Sequence, residues 1–165
     1  MKLHAAVATL VLAASLTGAS AQLQTFSPDQ VGDAFCIASL AGDMAPVEAG
    51  LLTPALADAV ADAELRNATI QAQAPGDKPP LGDGLPWRSF PDYADGCIVG
   101  AIALTPDATA ATVEIHYSFK DYPDASYTDT LRLKQTDGTD RFYRIDDIAL
   151  LDGQTFSGVL AAIFE

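Results

Sequence analysis

The chain has few basic residues and almost no histidine. It contains 9 lysine and arginine residues against 22 aspartate and glutamate residues, and only 2 histidines. Nucleic acid and anionic lipid are bound through basic patches, so this balance argues against both as partners. A cationic envelope protein or a small cationic molecule fits better electrostatically. The alternative is that the acidity only keeps the protein soluble.

The motifs that name a common reaction are missing. There is no G-x-S-x-G nucleophile elbow, no phosphate-binding loop and no dinucleotide fingerprint. With so little histidine, a zinc site of several nitrogen ligands is also disfavoured. We therefore predict no metal, no cofactor and no catalytic residue. Isomerase-like chemistry, which needs only one carboxylate and one donor, is not excluded.

Long apolar runs are absent after the first segment of the chain. Lys2 precedes an apolar stretch at residues 5–16, and Ala19-Ser20-Ala21 fits a cleavage site, as in a secretory signal peptide. A membrane anchor needs about 20 apolar residues, so an uncleaved anchor is the weaker alternative. We predict a signal peptide over residues 1–21, a single domain over residues 22–165, and a periplasmic or secreted location. Loss of Lys2 would leave eight basic against 22 acidic residues, a formal charge of −14.

Cysteine is scarce, but the count is even. Cys36 and Cys97 are the 2 cysteines of the chain, and both follow the predicted signal peptide. In an oxidising compartment an even count predicts a disulfide. The bond would tie the first helix to the first strand. Two buried free thiols are the alternative.

Helix signals surround the sheet signals in the remaining chain. Ser27-Pro28 and Thr53-Pro54 each pair a capping residue with a first-turn proline. The first helix should end near Gly42 and the second near Ala74. Residues 75–96 form a long loop, which we expect to pack down at Trp87 and Phe90. Four strands are predicted at residues 97–104, 112–120, 127–135 and 141–150, and a short helix from residue 156.

The strands differ in pattern. Residues 97–104 are continuously apolar, which predicts a strand buried on both faces, whereas residues 112–120 alternate between apolar and polar side chains. Asp137-Gly138 predicts the last hairpin turn. The fold class is therefore α+β, with two N-terminal helices, a four-stranded curved antiparallel sheet and a short C-terminal helix.

The tail YRIDDIALLDGQTFSGVL, at residues 143–160, resembles the closing motif of small exported bacterial domains of unknown function. Those belong to the nuclear-transport-factor-2-like (cystatin-like) superfamily, whose curved sheet is wrapped by helices. The resemblance covers the last quarter of the chain and implies that fold. It implies no catalytic residue, because the motif is structural. Folds of this kind serve isomerases, dehydratases, binding modules and inhibitors, and some related envelope domains act as inhibitor or immunity proteins.

The long loop carries the first candidate site. It holds four neighbouring candidates, Trp87, Arg88, Phe90 and Tyr93, and Trp87 is the single tryptophan of the chain. Trp, Tyr and Arg are enriched in binding hot spots. We therefore expect a non-enzymatic periplasmic binding domain that uses this loop as its contact surface, and an inhibitor or immunity-type protein is one form that such a domain takes.

A second set of residues would serve a small-molecule pocket. His116, Tyr117, Tyr143 and Asp146 could line a cavity between sheet and helices and support isomerase- or dehydratase-like chemistry. Other interpretations compete at each position. The alternation puts His116 on a solvated face and Tyr117 in the core, while Asp146 can bond to loop backbone or to Arg144. A structural role without any ligand is the third interpretation.

Overall fold

Three helices precede the sheet in a computed structural model that describes residues 26–82, 84–136 and 142–165. They are α1 (Pro28–Ala41), α2 (Ala45–Gly50) and α3 (Pro54–Gln73). The predicted signal peptide and the predicted Asp137-Gly138 turn lie outside the described residues. In the ranges described, no helix is both long and apolar enough to cross a bilayer.

Local capping sets the helix boundaries where the sequence predicts them. The Ser27 main-chain N–H donates to Gln30 Oε1 at 3.0 Å, and the Thr53 hydroxyl accepts from the Leu56 N–H at 3.4 Å. Gly42 ends α1 in the left-handed region, at φ 68°. The two predicted helices are thus confirmed as α1 and α3, and the short α2 between them is an addition.

The sheet is an antiparallel meander of four strands in the order β1-β2-β3-β4. The strands are β1 (Gly96–Leu104), β2 (Ala110–Ser118), β3 (Tyr127–Gln135) and β4 (Tyr143–Ala149), and α4 (Phe156–Ala162) follows. The sheet is open. The predicted α+β class, with leading helices and a short trailing helix, is confirmed.

One sheet face, here called the inner face, packs against the helices. Side chains of 0% exposure fill the space between them, and they come from α1, α2, every strand except β1, and α4: Val31, Phe35, Val47, Val113, Ile115, Leu131, Ile145, Ile148 and Phe156. The opposite, outer face carries the polar half of each alternating strand. The predicted alternation of β2 and β3 is therefore confirmed.

The prediction that residues 97–104 are buried on both faces is wrong. β1 is an edge strand, and Ile98, Ile102 and Leu104 are 66%, 41% and 56% exposed. A run of apolar residues does not encode a strand's place in the sheet order. The opposite edge is covered, because β4 pairs with residues 51–53 through bonds from the Thr53 N–H to Ile145 O and from the Ile145 N–H to Leu51 O.

Helix α1 is held close to β1 by a disulfide and by a glycine. Cys36 and Cys97 are bonded, with their Cα atoms 5.4 Å apart, which confirms the predicted pair and its link between first helix and first strand. Gly32 faces the sheet with no side chain of its own. A Cβ there would lie 2.8 Å from Val99 Cγ2 and 3.0 Å from Val113 Cγ1. Only glycine lets the helix approach this closely.

Candidate functional site

The four predicted pocket residues do not converge on one cavity. Tyr117 and Tyr143 belong to the inner face, at 1% and 7% exposure, whereas His116 lies on the outer face. The Tyr117 hydroxyl pairs with Ser39 Oγ at 3.2 Å, and the Tyr143 hydroxyl donates to Ala108 O at 2.6 Å. Both tyrosines are therefore bonded within the fold.

Asp146 is held at the β4 edge by structural contacts. The pairing register of β3 with β4 shifts between Arg132 and Leu133, so Asp146 forms a bulge in β4 with no partner residue in β3. Its carboxylate pairs with Lys134 Nζ at 2.8 Å and accepts from the Thr53 hydroxyl at 3.3 Å. These contacts join β4 to the start of α3.

His116 stands in a row of polar side chains on the outer face. Its Nδ1 lies 2.6 Å from Thr128 Oγ1, and its Nε2 lies 3.3 Å from Glu114 Oε2. Gly100 leaves space for the imidazole, since a Cβ there would overlap the ring. Hydroxyl, imidazole and carboxylate stand in the order of an activated nucleophile. The row is nevertheless about 40% exposed on an open face, without the enclosed, charge-stabilising surroundings that such catalysis uses.

The long loop is anchored at Trp87 and Arg88. The Trp87 indole is 8% exposed and stacks on Phe156 with centroids 4.5 Å apart, as the prediction of a packed loop requires. Arg88 Nη1 donates to Ser39 O at 3.1 Å, near the C-terminal end of α1, where a cation is favourable. The Arg88 guanidinium also lies over the Tyr93 ring, 4.8 Å from its centroid.

Phe90 and Tyr93 are the accessible members of the predicted contact surface. They are 45% and 66% exposed. Phe90 still contacts Tyr127, with centroids 5.2 Å apart, so its packing is partial. The exposed aromatic area of the loop thus comes from these two rings.

The loop is also fixed by Asp129, a buried carboxylate on β3 that sequence analysis missed. Asp129 is 1% exposed, and Ser89 donates to it through both its main-chain N–H, at 3.0 Å, and its hydroxyl. The Leu151 N–H donates in turn to Ser89 Oγ at 2.8 Å. Burial raises the pKa of Asp129, and the bonds from Ser89 oppose that rise. A signal was present, because the alternation of β3 places Asp129 on the same face as Leu131.

Tyr127 completes this buried cluster. Its ring stacks on Tyr117 with centroids 4.8 Å apart, and its hydroxyl is buried. Burial is the main reason that its pKa rises to about 12, and the nearby Asp129 charge adds to the effect. The hydroxyl therefore stays neutral in the ordinary pH range.

A groove of about 1310 Å³ runs between the loop and the helices α1, α2, α3 and α4. Its walls are formed by aromatic and aliphatic side chains and by three carboxylates from different segments, Glu48, Glu64 and Asp92. Burial raises the pKa of Glu48, and the negative charges of Glu64 and Asp43 raise it further. Two cations, Lys78 and Arg88, line the same groove, so its carboxylates outnumber its cations by one. Other lining residues include Met44, Leu85, Trp87, Tyr93 and Ile163.

Across the part of the chain that is described, no group of three or more His, Cys, Asp or Glu side chains is arranged to hold a metal ion.

Comparisons with protein-family models, with curated proteins and with solved structures find no match to this chain.

Proposed function

We propose that the chain is an exported, non-enzymatic binding domain that takes a cationic partner in the groove beside the long loop. The observation that carries this proposal is the pair of groove carboxylates Glu48 and Glu64: burial raises the pKa of Glu48, and the negative charges of Glu64 and Asp43 raise it further. A bound cation would relieve that repulsion and favour both ionised carboxylates. An inhibitor or immunity-type role toward a basic envelope enzyme or toxin fits this charge.

Aromatic residues at the groove support a protein partner. Tyr93 lines the groove at 66% exposure, and Arg88 holds the ring from one side. A rigid aromatic ring flanked by charge is a common binding hot spot. The disulfide between Cys36 and Cys97 is compatible with an oxidising compartment, and the periplasmic or secreted location is part of the proposal.

The order of elements supports the nuclear-transport-factor-2-like superfamily as the proposed family. Leading helices, an antiparallel meander and a short closing helix agree with the order that the tail motif implies. Fold alone leaves function open.

The alternative of a pocket with isomerase- or dehydratase-like chemistry has less support. Such chemistry needs an acid or base near a donor within one cavity. His116 lies on the outer face and Tyr117 in the filled core, so the separation counts against the alternative.

The proposal is tested with tagged protein and envelope extract. A retained partner is identified by mass spectrometry, purified and titrated by calorimetry against matched pairs of variants. Tyr93→Ala should weaken binding about thirtyfold or more, the usual effect of truncating a hot spot, and Tyr122→Ala should not. Tyr122 is a suitable control because it is similarly exposed, at 73%, and does not line the groove.

A second pair tests the charge. Glu64→Gln removes a groove carboxylate from α3, and Asp58→Asn removes an exposed carboxylate from the same helix outside the groove. Only Glu64→Gln should weaken binding, and added salt should reduce the difference between them. Equal affinity for Tyr93→Ala, Glu64→Gln and wild type would exclude the groove as the interface.

A further inference from the structure

Strand β1 is an edge strand with a bulge between Val99 and Ile102, so its regular pairing edge runs from Ile102 to Leu104. Natural edges are blunted by charged side chains, proline, a bulge or a covering segment. The sequence of β1, GCIVGAIAL, has neither charge nor proline, and no described strand pairs with its outer side. The β4 edge, in contrast, is covered by residues 51–53. Of the two edges of the sheet, the β4 edge is thus covered and the β1 edge is exposed.

The open part of β1 presents both main-chain and apolar groups. The Thr105 N–H donates to Ala110 O at 3.0 Å across the β1–β2 hairpin. Because inward and outward groups alternate along an antiparallel strand, the main-chain groups of Leu104 and Ile102 point away from β2. Their side chains are 56% and 41% exposed. An added strand would find hydrogen-bonding groups and apolar contacts together.

Acidic residues stand at both ends of this uncharged strand. Asp95 precedes β1 and Asp107 follows it in the hairpin turn. Hydrogen bonds from Thr105 and then Thr109 lower the pKa of Asp107, which keeps it ionised. The charges therefore favour a strand that is apolar in its centre and basic at its ends.

We propose that β1 is the docking edge for an extended segment of a cationic partner, which joins the sheet by strand addition. The inference rests on the proposed function for the sign of the partner's charge. A second copy of this chain is disfavoured as the occupant. Antiparallel self-pairing centred on Gly100 would bring Asp95 of one copy opposite Thr105 and near Asp107 of the other, and like charges across strands are destabilising.

The test uses two synthetic peptides of alternating threonine and valine, one with lysine at both ends and one with glutamate at both ends. Binding is followed by anisotropy, and amide hydrogen exchange is followed by NMR. We expect the lysine-ended peptide to bind at least about tenfold more tightly, and to slow exchange at the amides of Ile102 and Leu104.

Variants at Leu104 separate the contribution of the main-chain N–H to peptide binding from that of the side chain. Leu104→Pro removes the outward N–H, a change that edge strands tolerate, and should weaken peptide binding by about tenfold, more than Leu104→Ala does. A second variant, Leu104→Lys, places a charge on the edge strand. Its control is Leu65→Lys, because Leu65 is also exposed, at 67%, but lies on α3. Thermal unfolding of each variant checks that the fold is retained.

Several outcomes would overturn the inference. They are unprotected β1 amides at saturating peptide, equal binding of both peptides, or a dimer in sedimentation that protects the same amides without peptide. The groove is judged separately. If Glu64→Gln weakens partner binding while Leu104→Pro does not, the edge inference fails and the proposed function stands. If β1 is protected while Glu64→Gln and Tyr93→Ala have no effect, the groove fails instead.

Discussion

Ser89 donates its main-chain N–H to Asp129 Oδ2 at 3.0 Å and its hydroxyl to Asp129 Oδ1, and this carboxylate is 1% exposed. The pair joins the long loop to the inner face of the sheet. It places an ionisable group where water cannot solvate it, so the protonation of Asp129 is linked to folding.

Asp129 should make stability fall as pH rises above the ordinary carboxyl range. Burial raises its pKa above the ordinary value of 3.8, so the native state holds this proton more tightly than the unfolded state. The resulting stabilisation is complete below 3.8 and is lost as pH rises through the native pKa. Asp129→Asn lacks this proton and should lose less stability over that window.

The measurement is the free energy of unfolding in urea between about pH 3 and about pH 7. Asp124→Asn, which removes an exposed carboxylate, controls for the change in net charge. Parallel profiles for wild type and Asp129→Asn would contradict the assignment.

Gly32→Ala should destabilise the protein by about 1–3 kcal/mol, as overpacking of a core does. The added methyl would press on Val99 and Val113, at 2.8 and 3.0 Å, between α1 and the sheet. Gly50→Ala is the matched control, because nothing lies within 4 Å of that position. It should change stability by less than about 1 kcal/mol, because Gly50 is the last residue of α2. Urea unfolding measures both, and equal effects would argue against close packing at Gly32.

Trp87→Ala should cost about 3–5 kcal/mol, because it removes the ring that stacks on buried Phe156. Tyr93→Ala removes a ring that is 66% exposed and should change stability far less. Thermal unfolding compares the two variants. A small loss for Trp87→Ala would mean that the loop is not anchored there.

Reduction of the Cys36–Cys97 disulfide should lower stability. The bridge spans 61 residues, and in the chain-entropy model a loop of that size corresponds to about 4 kcal/mol. The double variant Cys36→Ser with Cys97→Ser should show the same loss without reductant. Intact mass before and after reduction should differ by two hydrogens, and an unchanged mass would rule out the bond.

Local signals predicted the elements better than their arrangement. Ser27-Pro28 and Thr53-Pro54 identified two helix starts because capping is a property of neighbouring residues. The alternation in β2 identified its inner face for the same reason. The edge position of β1 was missed because strand order depends on contacts between distant segments. α2 was missed because six residues that include Pro46 and Gly50 carry little periodic signal.

The candidate site was predictable only in part. The loop residues Trp87 and Tyr93 stood out by type, but their different burial depends on α4 and α1, which lie elsewhere in the chain. The carboxylates Glu48 and Glu64 come from separate helices, so neither local sequence predicts that both line one groove. Asp129 was the exception, since a charged residue in an apolar register is visible in the sequence itself.

The Ser89–Asp129 pair has a consequence for how a ligand would meet the groove. One wall of the groove is already immobilised before any ligand arrives, because lifting the loop would strip a buried carboxylate of its donors. Binding would therefore cost the protein little conformational entropy. The affinity would depend mainly on how much conformational entropy the ligand loses.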